Sequence, residues 1–124
     1  TIYKIVGDIQ QSALDADAVI VQPQEIIELI SQKTGVSITK MKGRQRYSDY
    51  VLARHTAMFF INKSCFESLL ATGKIFNRDH TSVIHAIRNV RNMIEGGHTK
   101  YIELVQSISD TIKQNNIPLT TITP

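Results

Sequence analysis

The feature that most constrains the fold of this chain is a helix-forming stretch that begins near residue 81. Its apolar residues recur at intervals of three and four, and at about 100° per residue they share one helical face. These residues are Val83, Ile84, Ile87, Val90 and Ile94. The other side of the helix carries hydrogen-bonding side chains, namely Thr81, Ser82, His85, Asn89 and Asn92. The sequence therefore predicts an amphipathic helix that buries aliphatic side chains and presents polar ones.

The polar side of this helix has the chemistry of a nucleic-acid-binding surface. It is preceded by Asn77, Arg78, Asp79 and His80. Short polar side chains with arginines beside them can enter a groove and meet base edges and phosphates. The alternative is a solvated helix face, with Asp79 serving as the helix N-cap, a role that is compatible with base contact. For His85, the alternative is an ordinary surface histidine.

The residues before this stretch predict a helix-turn-helix. Ser64 can cap a short helix from Phe66 to about Ala71, and Gly73 permits a sharp turn leading to Asn77. Two helices that are joined by a tight glycine-bearing turn form this motif.

Further helices follow from local start and stop signals. A first helix is predicted near residues 2–14. Pro23 opens a second that Gly35 ends, and Ser37 caps one further turn to Met41. Residues 42–46 (Lys-Gly-Arg-Gln-Arg) are called the basic loop below.

A longer helix is predicted from Ser48 to about Asn62, with Arg54 and His55 projecting near its start, and a last helix from about 98 to 115. With no strong strand signal, the prediction is an all-α, compact bundle of about six helices containing a helix-turn-helix. Its parts are an N-terminal helix and linker (1–22), the DNA-binding domain (23–117) and a flexible tail (118–124).

Composition excludes several classes of protein. With 124 residues, 42% apolar and 20% charged, the chain is expected to be a soluble globular protein. It has no membrane-length apolar run and no signal-like segment, so a cytoplasmic protein without a membrane partner is expected. A single cysteine, Cys65, argues against a disulfide or a zinc site. No paired carboxylates or nucleophile–base set is visible, so we predict no enzyme, no metal and no cofactor.

Charge is segregated along the chain. Residues 40–91 hold ten Lys or Arg and three Asp or Glu, a net +7, whereas the flanks hold four and eight, a net −4. Segregation of this size predicts one basic surface that meets a polyanion.

Three motifs in register resemble one family. They are Gly43-Arg44-Gln45-Arg46, Ala53-Arg54-His55-Thr56-Ala57-Met58 and the run from Gly73 to Ala86, which includes Arg78-Asp79-His80-Thr81-Ser82-Val83. Together they resemble the C-terminal DNA-binding domain of the bacterial replication initiator DnaA, over about residues 25–115.

The resemblance implies roles for particular residues. Arg46 would reach into the minor groove, Arg54 and His55 would lie near base edges or phosphates, and residues 79–82 would read the major groove. The predicted phosphate contacts are Lys63, Lys74 and Arg78. The full predicted DNA-binding set is Arg44, Arg46, Arg54, His55, Lys63, Lys74, Asn77, Arg78, Asp79, His80, Thr81, Ser82 and His85.

The chain departs from the family pattern at three places. His55 stands where the family commonly has Gln, Ser82 stands where a second Thr is usual, and the turn between Phe76 and Arg78 is one residue shorter than in the commonest forms. Since Ser82 lacks the methyl group, the preferred DNA box is expected to differ. The chain also has no Gly-x-x-x-x-Gly-Lys-Ser/Thr phosphate loop, so no nucleotide binding is expected.

The expected function is sequence-specific binding of double-stranded DNA. Recognition would resemble that of a DnaA box and would serve replication initiation or its regulation, with other replication or regulatory proteins as further partners. The chain would be a fragment of a larger protein or a stand-alone relative, such as a phage or mobile-element regulator. The alternative is a protein-interaction adaptor that kept the fold without specific DNA reading.

Overall fold

The computed structural model describes residues 21–115, which contain six α-helices and no strand. They are α1 (Pro23–Thr34), α2 (Ile38–Lys42), α3 (Ser48–Ser64), α4 (Leu69–Ile75), α5 (His80–Glu95) and α6 (Thr99–Asn115). Residues 21–109 form one compact unit. The all-α prediction is confirmed. The predicted helix near residues 2–14 and the predicted tail at 118–124 lie outside the described residues.

Helix α1 begins and ends where its local signals predict. Pro23 occupies the first turn, and the Glu25 side chain accepts a hydrogen bond from the backbone N–H of Gln22 at 2.8 Å. Gly35 ends the helix with φ 78°, in the left-handed region where a side chain would be strained. Between these ends, Ile26, Ile27 and Ile30 are buried in the core. The amphipathic stripe therefore orients α1 toward the other helices.

Helix α3 is the centre of the described fold. It contacts α1, α2, α4 and α5, and every residue from Thr56 to Ile61 is buried. A helix that is apolar on nearly all sides is typical of a core position. The one hydroxyl in this run is paired, because Thr56 Oγ1 lies 2.7 Å from the Tyr101 hydroxyl of α6 and donates to or accepts from it. Thr56 thereby ties α6 to the core.

The start of α4 differs from the prediction. The helix runs from Leu69 to Ile75 rather than from Phe66 to Ala71, and its cap is Ser68 rather than Ser64. Ser68 Oγ accepts from the Ala71 N–H at 3.0 Å, whereas Ser64 remains in the last turn of α3. Phe66 has φ 59°, a conformation that cannot lie inside a right-handed helix, so a helix start at residue 66 was wrong.

The turn between α4 and α5 depends on Gly73, but for a different reason from the predicted one. Gly73 lies inside α4 and is buried, and its carbonyl accepts from the backbone N–H of Arg78 at 2.8 Å. A Cβ on Gly73 would overlap the Arg78 carbonyl oxygen. The positive φ of the turn belongs to Asn77, at 56°. The missing side chain therefore lets α5 start directly against α4, and α4, the turn and α5 form the predicted helix-turn-helix.

Candidate nucleic-acid interface

The N-terminal turn of α5 is fixed by its cap. Asp79 Oδ1 accepts a hydrogen bond from the Ser82 N–H at 2.9 Å, and this bond lowers the pKa of the Asp79 carboxyl. His80 and Thr81 in the same turn are exposed, while Val83, Ala86 and Val90 are buried on the opposite side. Helix α5 therefore has the predicted division into a core face and a polar face, and its first turn faces solvent.

The basic loop, residues 42–46, connects α2 to α3. Arg44 and Arg46 are exposed in it. Arg54 of α3 holds the backbone of residues 40–45 by hydrogen bonds. Its Nε donates to the Met41 carbonyl at 2.6 Å. Its Nη2 donates to the carbonyls of Lys40 at 3.2 Å and Gln45 at 3.1 Å. One guanidinium therefore joins the end of α2 to the loop and to α3.

The prediction that Arg54 projects from the start of α3 was wrong, because its side chain is only 4% exposed. Its guanidinium hydrogen-bonds three carbonyls, those of Lys40, Met41 and Gln45, because it has enough donors to satisfy several acceptors at once. Burial of that charge lowers the pKa of Arg54, and Arg78 and Arg46 nearby lower it further.

Arg78 makes a second connection from the helix-turn-helix to the loop. Its Nη2 donates to the Gly43 carbonyl at 2.6 Å, and its Nη1 donates to the Phe76 carbonyl at 2.8 Å. Burial lowers the pKa of Arg78, with Arg44 and Arg46 adding to the effect. Gly43 is thus held by the turn before α5, and Gln45 is held by α3.

These residues surround one open cavity of about 610 Å³. Seven of the predicted site residues line it, together with Val51 and Met58: Arg44, Arg46, Arg54, His55, Arg78, Ser82 and His85. Among residues 21–115, no carboxylate lines the cavity, so none of these residues neutralises the positive charge of the arginines there. Like charges gathered on a concave surface create a field that attracts anions.

His55 lies in this cavity, in surroundings that disfavour its charged form. Burial lowers its pKa, and the charges of Arg54 and Arg78 lower it further. The Asn89 side-chain amide nitrogen lies 3.4 Å from His55 Nδ1, and because that nitrogen can only donate, this contact favours the neutral ring with its proton on Nε2. Asn89 was not among the predicted site residues. The signal for it was its spacing, since it stands four residues after His85 on the polar face of α5.

The other predicted residues lie outside the cavity lining. Lys74 is in the last turn of α4, Asn77 is in the turn, and both are exposed. Lys63 is in the last turn of α3, with Nζ 5.3 Å from the centroid of the Phe59 ring. Since nine residues of helix span about 13 Å, Lys63 lies far along α3 from Arg54 and the loop.

Residues 21–115 were also compared with the requirements of a membrane span, a metal site and a reactive cysteine, and they meet none of these. None of the helices there has the length and apolar character needed to cross a membrane. Among the same residues, no group of three or more His, Cys, Asp or Glu could hold a metal ion. Burial raises the pKa of the Cys65 thiol to about 11, so this side chain is a weak nucleophile at neutral pH.

The fold and the arginine-lined cavity define a class, the helix-turn-helix DNA-binding domain. A family model described as the bacterial dnaA protein helix-turn-helix matches residues 23–90. The chain belongs to this family, which confirms the resemblance that the motifs carry.

Curated relatives agree with the family match. The chain is 34% identical over 97 residues to chromosomal replication initiator protein DnaA 1 of Chlamydia pneumoniae, which covers 78% of the chain and 21% of that protein. It is 36% identical over 91 residues to DnaA of Streptococcus equi subsp. zooepidemicus (73% and 20%) and 34% identical over 119 residues to DnaA of Streptococcus uberis (90% and 26%). The chain thus spans about a fifth to a quarter of the length of these relatives.

Proposed function

We propose that this domain binds double-stranded DNA sequence-specifically, through a DnaA-box-like site, in replication initiation or its regulation. The observation that carries the proposal is the juxtaposition of the arginine-lined cavity with the N-terminal turn of α5. The relatives are named chromosomal replication initiators, which supports the assignment of this domain to replication initiation.

In this proposal α5 lies in the major groove. The exposed Thr81 would pack its methyl group on a thymine, and Asp79 would accept from an exocyclic amine with a carboxylate oxygen. Its Oδ1 already accepts from the Ser82 N–H, but a carboxylate has further acceptor positions. Capping and base contact are therefore compatible in one residue.

Phosphate contacts would fix the register of the domain on the duplex. The candidates are the exposed Lys63 and Lys74 together with Arg44 of the basic loop. Such contacts contribute affinity without sequence information, and they release counterions from the DNA.

The basic loop would reach the adjoining minor groove with Arg46. An exposed guanidinium is attracted by the negative potential of a narrow A·T-rich groove. Two separate contacts, one in each groove, would lengthen the recognised sequence beyond what one helix can read.

A fluorescence titration tests the proposal. An A·T-rich, DnaA-type box should bind more tightly than a scrambled duplex of the same composition. Because several phosphates are neutralised, the affinity for both duplexes should fall with salt with a log–log slope of about −4 to −7. Absence of binding, or a slope near zero, would contradict DNA binding and favour the adaptor alternative.

A further inference from the structure

Arg54 and Arg78 both hydrogen-bond the backbone of the basic loop, and the role inferred for them here rests on the proposed function. We propose that Arg54 and Arg78 are positioning residues, which set the direction of Arg46 by binding the loop backbone rather than by binding DNA. The sequence pattern places both of them among the DNA contacts, whereas their donors are directed to carbonyls of residues 40–45 and 76.

The geometry of the loop supports this role. Gly43 and Gln45 are alternate residues of the loop, and each has its carbonyl held by a guanidinium nitrogen, at 2.6 Å by Arg78 and at 3.1 Å by Arg54. Gln45 directly precedes Arg46. Anchoring both carbonyls restricts the backbone from which the Arg46 side chain leaves, and an ordered loop loses less conformational entropy on binding.

The bond from Arg78 to Gly43 also connects the basic loop to α5, the helix proposed to lie in the major groove. Arg78 directly precedes the Asp79 cap of α5, and its backbone N–H is itself bonded to the Gly73 carbonyl. The side chain of Arg78 therefore relates the position of the loop to the N-terminus of α5. A fixed relation between the two contacts lets both bind one duplex in a single register.

Lysine is a suitable test residue because it retains the charge but has no planar fork of donors. Arg54→Lys and Arg78→Lys should leave the net charge unchanged while breaking most of the loop contacts, and Arg44→Lys in the same loop is the matched control. Thermal unfolding verifies that each variant is folded. Arg78→Lys, whose native side chain is only half-buried, provides a second route if Arg54→Lys does not fold.

Two measurements decide the role. In the free protein, ¹⁵N relaxation order parameters of residues 43–46 should fall in both test variants and remain unchanged in Arg44→Lys. In titrations, the preference for an A·T-rich over a G·C-rich flank should fall several-fold in the test variants. The salt slope and the discrimination between the box and scrambled DNA should be retained.

Other outcomes overturn the proposal. A uniform loss of affinity on all duplexes, with the flank preference unchanged, would make Arg54 or Arg78 a direct phosphate contact. Unchanged order parameters would show that the loop is held by other means. If the wild-type protein bound no duplex, the proposed function would fail, and with it the DNA role of the loop. The order parameters alone would then establish whether the arginines anchor it.

Discussion

The backbone N–H of Arg78 donates to the carbonyl of Gly73 at 2.8 Å, and the Gly73 Cα has no room for a side chain because the Arg78 carbonyl oxygen stands where a Cβ would lie. This pair sets the distance between the two helices of the helix-turn-helix. It also positions the segment from which the Arg78 guanidinium reaches Gly43.

Gly73→Ala should therefore destabilise the domain. Helix propensity alone would favour Ala by about 1 kcal/mol, but the overlap with a backbone atom should cost about 3 kcal/mol and leave a net loss of about 2 kcal/mol. Urea unfolding measures the change. The control is Gly35→Ala, where nothing lies within 4 Å and only the left-handed φ of 78° opposes a side chain, at about 1 kcal/mol. A Gly73→Ala protein as stable as wild type would contradict the close approach.

The elements that could be predicted are those whose signals are local. Pro23, Gly35 and Ser37 start and stop helices through bonds within a few residues, and the structure confirms them. The start of α4 was missed because Ser64 and Ser68 offer the same cap. The choice between them depends on the packing of α3, which continues to Ser64, and on the turn at Phe66.

The candidate site, too, could be predicted only where the signals are local in sequence. Spacing on a helical wheel suffices to group Ser82, His85 and Asn89, because they share one face of α5. Whether a basic residue faces solvent or the loop backbone depends on elements that are distant in sequence. Arg54 is nine residues from Gln45, and Arg78 is 35 residues from Gly43, so neither bond has a local signal.

The lowered pKa of His55 predicts a pH-dependent difference in stability. Its folded-state pKa is below the unfolded value of about 6.5, so above that pH both states are neutral and the histidine adds no pH dependence. As the pH falls below about 6.5, the unfolded state takes up a proton first, and wild type should lose stability relative to His55→Gln.

Urea unfolding of wild type and His55→Gln at pH 7.5 and pH 5.5 measures this difference. Glutamine retains a polar side chain that can pair with Asn89, so the two proteins differ mainly in the titrating ring. A difference in unfolding free energy that is equal at both pH values would show that His55 protonates as readily in the folded protein as in the unfolded chain.

Two substitutions should separate base reading from phosphate contact. Thr81→Ala should weaken binding to the specific box by about 1–3 kcal/mol and change binding to scrambled DNA little. Lys63→Ala should weaken both equally and make the salt slope shallower by about one. Both side chains are exposed, so folding should be retained in each variant. Identical effects of the two substitutions on the two duplexes would refute base reading by Thr81.

Arg46→Lys tests the minor-groove contact itself. The net charge is preserved, but an ammonium is more strongly hydrated than a guanidinium and lacks its planar fork, so it should gain less from a narrow groove. We expect the variant to lose much of its preference for an A·T-rich flank, while Arg44→Lys, which alters the exposed neighbour two residues earlier, remains close to wild type.

Binding is measured on duplexes that share the central box and differ only in an A·T or G·C flank. Because Arg46 is itself exposed, the order parameters of the loop should not change, unlike those of Arg54→Lys. If wild type and Arg46→Lys showed the same flank preference, the proposed minor-groove contact of Arg46 would be contradicted.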